Sequence, residues 1–324
     1  PIMSAETFTM PAEELIGVSP AIQQLRERVT MVAGFDVNLL LQGESGTGKE
    51  LVSRMVHSLS DRRDGPFVGV NCAAIHETLL ESELFGHQAG AFTGARHSTL
   101  GFLRASDSGT ILLDEIGDMS ESLQAKLLRV LEQRSVIPVG ATRPIPIDIR
   151  VIAATHCDLA KAVHDGSFRR DLYYRLNVVR LTIAPLRDRR DDIPLLAEHM
   201  SRKMAGMLHM PVKKISQPAM DTLIRYDWPG NVRELGNVIQ RAYVLGCEPV
   251  IEIEDLSEDL FDKCGKTAAD TFPTLQEVTH DHVMRALESA NGVRSRAARM
   301  LGIDRKSLWR MLHRDAAGNQ NAGR

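Results

Sequence analysis

Leu39-Leu40-Leu41-Gln42-Gly43-Glu44-Ser45-Gly46-Thr47-Gly48-Lys49-Glu50 is the stretch that decides the fold. The apolar run over 37–41 reads as a buried strand. A glycine-rich turn follows, and a helix is predicted from near Lys49. Strand, GxxxxGK and helix together make a phosphate-binding loop. Its glycines let the backbone curl so that successive N–H groups face one anion. The helix N-terminus adds partial positive charge there, and Lys49 adds a full one. Residues Gly43, Glu44, Ser45, Gly46, Thr47, Gly48, Lys49 and Glu50 are therefore the candidate nucleotide cradle. Glu50 stands where a Ser or Thr would offer a hydroxyl to Mg2+, so the metal has to lean on another residue.

Working outward, Ser19-Pro20 caps a helix predicted to run through Val32. Helices are expected over 50–59, 78–85 and 123–132. Strands are expected over 66–70, 109–115 and 150–155, with a fifth over 178–181. Strands alternating with helices imply an α/β domain with a parallel five-stranded sheet covered on both faces. Ligands then sit at the carboxyl ends of the strands, where Gly43, Asp114 and Thr155 all fall. After Pro185 the pattern changes to helices without strands, over 192–208, 217–226 and 231–245. The expected organisation is a leader over 1–14, a nucleotide-binding part over 15–185 and a small helical lid over 186–250. A linker over 251–272, a helical DNA-binding domain over 273–314 and a disordered tail over 315–324 complete it.

Composition narrows the class. The chain has 324 residues, 43% of them hydrophobic and 25% charged, which is ordinary for a globular protein of two or three domains. No apolar run approaches the ~20 residues that span a bilayer, and no signal peptide is visible. Cys72, Cys157, Cys247 and Cys264 stand far apart with no CxxC, which reads as free thiols in a cytoplasmic protein. The net charge of −3 hides an asymmetry. Between 291 and 314, Arg294, Arg296, Arg299, Arg305, Lys306, Arg310 and Arg314 face a single acid, Asp304. That segment is a candidate footprint on a phosphate backbone, although a solvated basic helix face fits the charge equally well.

Asp114-Glu115, ending an apolar strand, completes the nucleotide chemistry. Asp114 can hold Mg2+, and Glu115 can polarise a water for attack on the γ-phosphate of ATP. With the phosphate loop, the Asp114-Glu115 strand, the hexapeptide Gly90-Ala91-Phe92-Thr93-Gly94-Ala95 and Trp228-Pro229-Gly230-Asn231-Val232-Arg233-Glu234-Leu235, the chain resembles the bacterial enhancer-binding proteins. These are AAA+ ATPases that activate sigma-54 RNA polymerase, and the likeness covers roughly 15–314. The family usually carries Glu after the phosphate-loop Lys, as Glu50 does here.

The resemblance implies further roles. Asn71 matches a switch residue that holds Glu115 inactive until the nucleotide changes. His156 lies at the position that senses the γ-phosphate, and Arg233 matches a second sensor carried by the lid. Arg169 and Arg175 match arginine fingers, which act on a neighbour's nucleotide, so hydrolysis is expected to need a ring of six or seven subunits. The hexapeptide Gly90–Ala95 is implied to contact sigma-54, with Thr93 at the contact, Phe92 in support and a second loop near 135–143 assisting.

The C-terminal stretch 297–310 reads as helix-turn-helix. Its alanines allow close helix approach, Gly302 makes the turn, and Asp304 caps the second helix. Arg296, Arg305, Lys306, Ser307 and Arg310 are the candidate DNA contacts, from a recognition helix that enters the major groove. Spacing alone leaves a plain helical hairpin open. The family's Fis-like domain favours DNA binding, with 275–287 as the packing helix of a dimer. The expected function is ATP-driven activation of the sigma-54 holoenzyme from an upstream enhancer. The competing readings are an AAA+ remodelling machine of another class and a DNA-binding regulator that does not engage sigma-54.

Overall fold

The computed structural model describes residues 15–74, 76–92, 97–246 and 249–256, and beyond them Val283, Ala286, Ala290 and 294–304. The chain divides into two units, Pro1–Cys264 and Gly265–Arg324.

Helix α1 (Pro20–Ala33) opens the first unit, with the Ser19 hydroxyl accepting from the Ile22 N–H and Pro20 in its first turn. Strand β1 (Leu39–Gln42), helix α2 (Lys49–Ser58), strand β2 (Phe67–Asn71) and helix α3 (Glu77–Phe85) follow. Next come a one-turn helix α4 (Phe102–Ala105), strand β3 (Thr110–Asp114) and helix α5 (Glu121–Gln133). A two-residue hairpin, β4 (Ser135–Val136) with β5 (Ile145–Pro146), precedes β6 (Arg150–Thr155). Helices α6 (Leu159–His164) and α7 (Arg170–Leu176) lead to β7 (Val179–Thr182).

The large sheet runs in the order β2-β3-β6-β1-β7, with every pairing parallel. Parallel neighbours need crossovers, so helices cover both faces. Alternation along each strand sends successive side chains to opposite faces. Leu39, Leu41, Leu112, Ile152 and Leu181 are buried with α1 and α2. Leu40, Leu113 and Ala153 are buried with α3, α5 and α7 on the other side. Arg150, buried at the start of β6, donates to the carbonyls of Ala33 at 3.0 Å and Val32 at 2.9 Å, placing a cation at the carbonyl end of α1.

The lid follows as α8 (Ile193–Leu208), α9 (Gln217–Arg225) and α10 (Asn231–Leu245) around its own core of Leu196, Leu223, Trp228, Leu235 and Tyr243. Trp228 is fully buried, and its indole N–H donates to the Leu223 carbonyl at 2.8 Å. The expectation of a lid without strands is corrected by β8 (Lys214–Ile215), paired in parallel with β9 (Val250–Ile251). Two-residue strands have no periodicity to read. Ile251 and Leu256 belong to the lid's buried cluster, so its packing continues past residue 250 into the stretch read as linker. The short helices α4, α6 and α7 carried no sequence expectation for the same reason of length.

Within the second unit, α11 (Arg294–Met300) buries Ala297 and Ala298 with Val283 and Ala290, and Leu301 and Ile303 pack against them. Gly302 adopts φ +68°, the Gly302 N–H donates to the Arg299 carbonyl, and the Ile303 N–H donates to the Ala298 carbonyl. This is a Schellman closure, and a left-handed residue at its turn favours glycine. Arg296 is exposed on α11. Arg305, Lys306, Ser307 and Arg310 lie outside the described residues, as do the leader, the tail and most of the expected linker. Among the described residues no helix is long and apolar enough to cross a membrane.

Candidate nucleotide site

Strand order brings the carboxyl ends of β1, β3 and β6 side by side, because β6 pairs with both of the others. The phosphate loop leaves β1 and enters α2 at Lys49, with Gly46 at φ +78° and Gly48 at φ +103°. Both values are costly for a residue with a Cβ. Thr47 braces the loop from within, its hydroxyl donating to the Glu44 carbonyl at 2.8 Å. Lys49 is buried, and its ammonium donates to the Gly43 carbonyl at 3.0 Å, the Glu44 carbonyl at 3.4 Å and Glu115 Oε1 at 3.3 Å. The lysine is thus held over the cradle where a β- or γ-phosphate would meet it.

Asp114 ends β3. Burial and the neighbouring Glu115 charge push its carboxyl pKa up. Its side chain accepts from the Glu115 N–H at 3.1 Å. A half-buried carboxylate with raised proton affinity beside a phosphate cradle fits a divalent cation, whose binding would relieve the repulsion. Glu50 gives no such fit, since its carboxylate is taken by Arg54 at 2.8 Å on the exposed side of α2.

Glu115 is bracketed. Oε1 meets Lys49, while Oε2 accepts from the His156 backbone N–H at 3.1 Å and from His156 Nδ1 at 2.6 Å. Burial pushes the Glu115 carboxyl up, but the His156 hydrogen bonds and the Lys49 charge outweigh it and hold the group below its ordinary range. With Glu115 ionised, Nδ1 carries the ring proton. Nε2 then faces the Cys157 thiol at 3.3 Å, whose pKa burial raises.

Asn71, expected to hold Glu115 in one nucleotide state, bonds locally in this structure. Asn71 Oδ1 accepts from the Ala73 N–H at 2.9 Å and the Ala74 N–H at 3.1 Å, closing the turn that leaves β2. Backbone donors freed at a strand exit take that oxygen, while the amide Nδ2 is the atom through which an asparagine donates to a carboxylate. Glu115 is held here by His156 and Lys49.

The lid closes the cradle from above. Arg233 donates Nη1 to the Ser45 hydroxyl at 3.1 Å, and its N–H meets the Gly46 carbonyl at 3.3 Å. Two lid-side residues had no separate sequence expectation. Arg187 ion-pairs with Glu44, and Asn231 bonds Glu44 and Ser45. Asn231 stood within the Trp228–Leu235 motif, but nothing near Arg187 signalled it.

Arg169 precedes α7 at its N-cap and Arg175 lies in its last turn, away from these contacts. Arg169 forks onto Asp171 at 3.1 and 2.7 Å, and its N–H donates to Gln124 Oε1. Arg175 donates to the Leu131 carbonyl at 3.0 Å. Neither bonds this chain's own phosphate loop.

The hexapeptide loop is tethered at its base. His87 bridges to Thr99 and to Val139, the Gln88 N–H donates to the Val139 carbonyl, and the Ala89 N–H donates to the Ser98 hydroxyl. A Cβ on Gly140 would lie 2.8 Å from the Ala91 Cβ, so the loop between β4 and β5 lies against the first loop. Gly90 adopts φ +82°. Phe92 is 48% exposed, with its ring 5.0 Å from that of His87. Thr93, Gly94 and Ala95 lie outside the described residues.

A parallel sheet in this order, a phosphate loop, acids ending the adjacent strand and a helical lid laid on the loop define a P-loop ATPase of the AAA+ class. The chain belongs to the sigma-54-dependent transcriptional regulators. Residues 15–182 match the Sigma-54 interaction domain, 187–271 the AAA+ ATPase lid domain, and 274–314 the bacterial regulatory proteins of the Fis family. It is 48% identical to the transcriptional regulatory protein ZraR of Salmonella typhimurium over 315 residues, 97% of this chain and 70% of that protein. It is 46% identical to the regulatory protein AtoC of Escherichia coli over 303 residues, 91% of this chain and 66% of that protein. The crystal structure of NtrX from Brucella abortus in complex with ATP is similar at a TM-score of 0.75 and 34% identity, covering 92% of this chain and 69% of that one. Its complex with ADP has the same TM-score.

Proposed function

We propose that this chain binds ATP with Mg2+ in the Gly43–Glu50 loop and hydrolyses it between neighbouring protomers of a ring. The hydrolysis drives remodelling of the sigma-54 holoenzyme at a promoter whose enhancer the C-terminal domain holds. The observation that carries this reading is the Glu115 carboxylate, ionised and held between Lys49 of the phosphate loop and His156 of the adjacent strand end. A carboxylate so placed can orient a water toward a γ-phosphate bound at Lys49.

Asp114 is the residue we assign to Mg2+, which when bound neutralises charge on the phosphate oxygens. His156 bonds Glu115 and directly follows Thr155, whose carbonyl accepts from the Gly43 N–H, which suits a sensor whose partner changes when the γ-phosphate leaves. Arg233 enters from the lid and senses closure. Arg169 and Arg175 have no bond to the phosphate loop of their own chain, which favours action in trans and hence a closed ring, a hexamer or heptamer.

The loop around Phe92 and Thr93 is the surface we assign to sigma-54. Support comes from a tethered base, a left-handed Gly90, a half-exposed aromatic and contact with the second loop. Such a lever can move as one piece when α3 shifts, because Gly86, which caps α3, starts it. Arg296 and the basic residues beyond Asp304 are assigned to DNA. ATP hydrolysis measured with and without sigma-54, followed by open-complex formation on a sigma-54 promoter, tests the reading. Turnover without open complexes would favour an AAA+ machine of another class, and DNA binding without turnover a passive regulator.

A further inference from the structure

Glu44 is the second residue of the phosphate loop, yet its carboxylate is engaged by residues from the lid side of the chain. Arg187 lies on the turn Leu186–Asp188 that leads from β7 toward the lid. It meets Glu44 with both terminal nitrogens, Nη1 to Oε2 at 2.9 Å and Nη2 to Oε1 at 2.5 Å. Asn231, the first residue of α10, donates Nδ2 to the same Oε2 at 3.1 Å and to the Ser45 carbonyl at 3.1 Å. Its Oδ1 accepts from the Leu186 N–H at 2.7 Å, so the amide joins the loop, the connecting turn and the lid helix. Asn231 is fully buried at φ +52°, a left-handed conformation that asparagine adopts more readily than most residues.

The rest of the joint lies close by. A Cβ on Gly46 would come within 2.2 Å of the Gly230 carbonyl, so the lid rests directly on the loop. Arg189, also buried, donates to the Thr47 carbonyl at 3.1 Å. These contacts are buried or made by backbone. The Glu44–Arg187 pair differs, with both side chains about two-fifths exposed to water. An ion pair so exposed adds little to overall stability. Its bidentate fork nevertheless fixes the relative orientation of the two elements it joins. Such a contact can open and re-form without unfolding either part.

We propose that Glu44 is a positioning residue: with Arg187 and Asn231 it forms a latch that keeps the helical lid closed on the phosphate loop and slows nucleotide release. The inference rests on the nucleotide reading above and adds to it the residue that governs how long the product stays. Closed, the latch holds Gly230 and Arg233 against Gly46 and Ser45. Open, it leaves the lid tethered by Arg189, by Asp192 accepting from the Val18 and Ser19 N–H groups and by backbone contacts, and the cradle faces solvent.

The test is a double-mutant cycle in the full chain. Dissociation of a fluorescent ADP analogue is followed by stopped flow for wild type, Glu44→Gln, Arg187→Gln and the double variant, each with its thermal midpoint. Each single variant is expected to release the analogue roughly 5–20-fold faster, and the double variant no faster than the faster single, because the two substitutions break one interaction. Arg187→Lys, which keeps the charge and loses the fork, is expected to fall between wild type and Arg187→Gln. A structural role would lower the thermal midpoint in step with the release rate; the latch predicts faster release at an unchanged midpoint. Wild-type release rates in both single variants, or effects that multiply in the double variant, would overturn the latch while leaving the nucleotide reading intact. A wild-type chain that binds no ADP would remove both.

Discussion

His156 holds Glu115 at two points, its backbone N–H at 3.1 Å and its Nδ1 at 2.6 Å, both on Oε2. The pairing spans two neighbouring strand ends, so any shift of β6 against β3 moves the carboxylate. Replacing His156 by Ala removes the side-chain contact and keeps the backbone one. The expected result is ATP turnover lowered about 10²-fold with KM changed only a few-fold, since positioning of a catalytic base contributes on that scale. Steady-state ATPase kinetics check it, and a KM rise with unchanged kcat would count against it.

The same network sets a pH dependence. Glu115 is held below its ordinary range by His156 and Lys49, so its ionised form contributes stability. That contribution is fully present above the ordinary glutamate pKa and fades as pH falls through the lowered folded value. The thermal midpoint of wild type minus that of Glu115→Gln is therefore expected to be flat above about pH 5 and to shrink below it. A gap that widens on acidification would contradict the bracketed carboxylate.

Arg175→Ala tests the trans site. The variant is expected to bind ATP but lose on the order of 10³-fold or more in hydrolysis, the range of arginine fingers. Mixed with a Lys49→Ala chain, which is inactive through a different half of the site, it is expected to regain measurable turnover. Phosphate release by the mixture, against each variant alone, is the measurement, and no recovery would argue for action in cis.

Thr93→Ala separates fuel from work. ATPase activity is expected to stay within about two-fold of wild type, because no cradle residue is touched, while open-complex formation with sigma-54 holoenzyme is lost. Full activation by the variant would place the contact elsewhere on the loop.

Gly46→Ala tests the seat of the lid. The new methyl would lie 2.2 Å from the Gly230 carbonyl, at a backbone φ of +78° that alanine rarely adopts. Lid and loop must separate, and ATP affinity is expected to fall about ten-fold or more by calorimetry, with faster amide exchange at the start of α10. Wild-type affinity would mean that the lid does not rest on the loop.

The elements legible in the sequence were those with length or chemistry to announce them. The apolar run before Gly43, the acids closing β3 and the capping Ser19-Pro20 each follow from local rules, and the observed elements lie within a residue or two of those expected. What escaped was short or non-local. The pairs β4–β5 and β8–β9 are two residues per strand and exist because longer elements bring them together.

By itself the sequence determined that a phosphate cradle, a pair of strand-end acids and a helical lid occur in one chain, because each is written in contiguous residues under local steric rules. Tertiary structure alone decided which side chains meet: His156 on Glu115, and Arg187 with Asn231 on Glu44. Those partners lie 41, 143 and 187 residues apart along the chain. Sequence spacing carries no distance at that range. The order of strands in the sheet and the seating of the lid supply it.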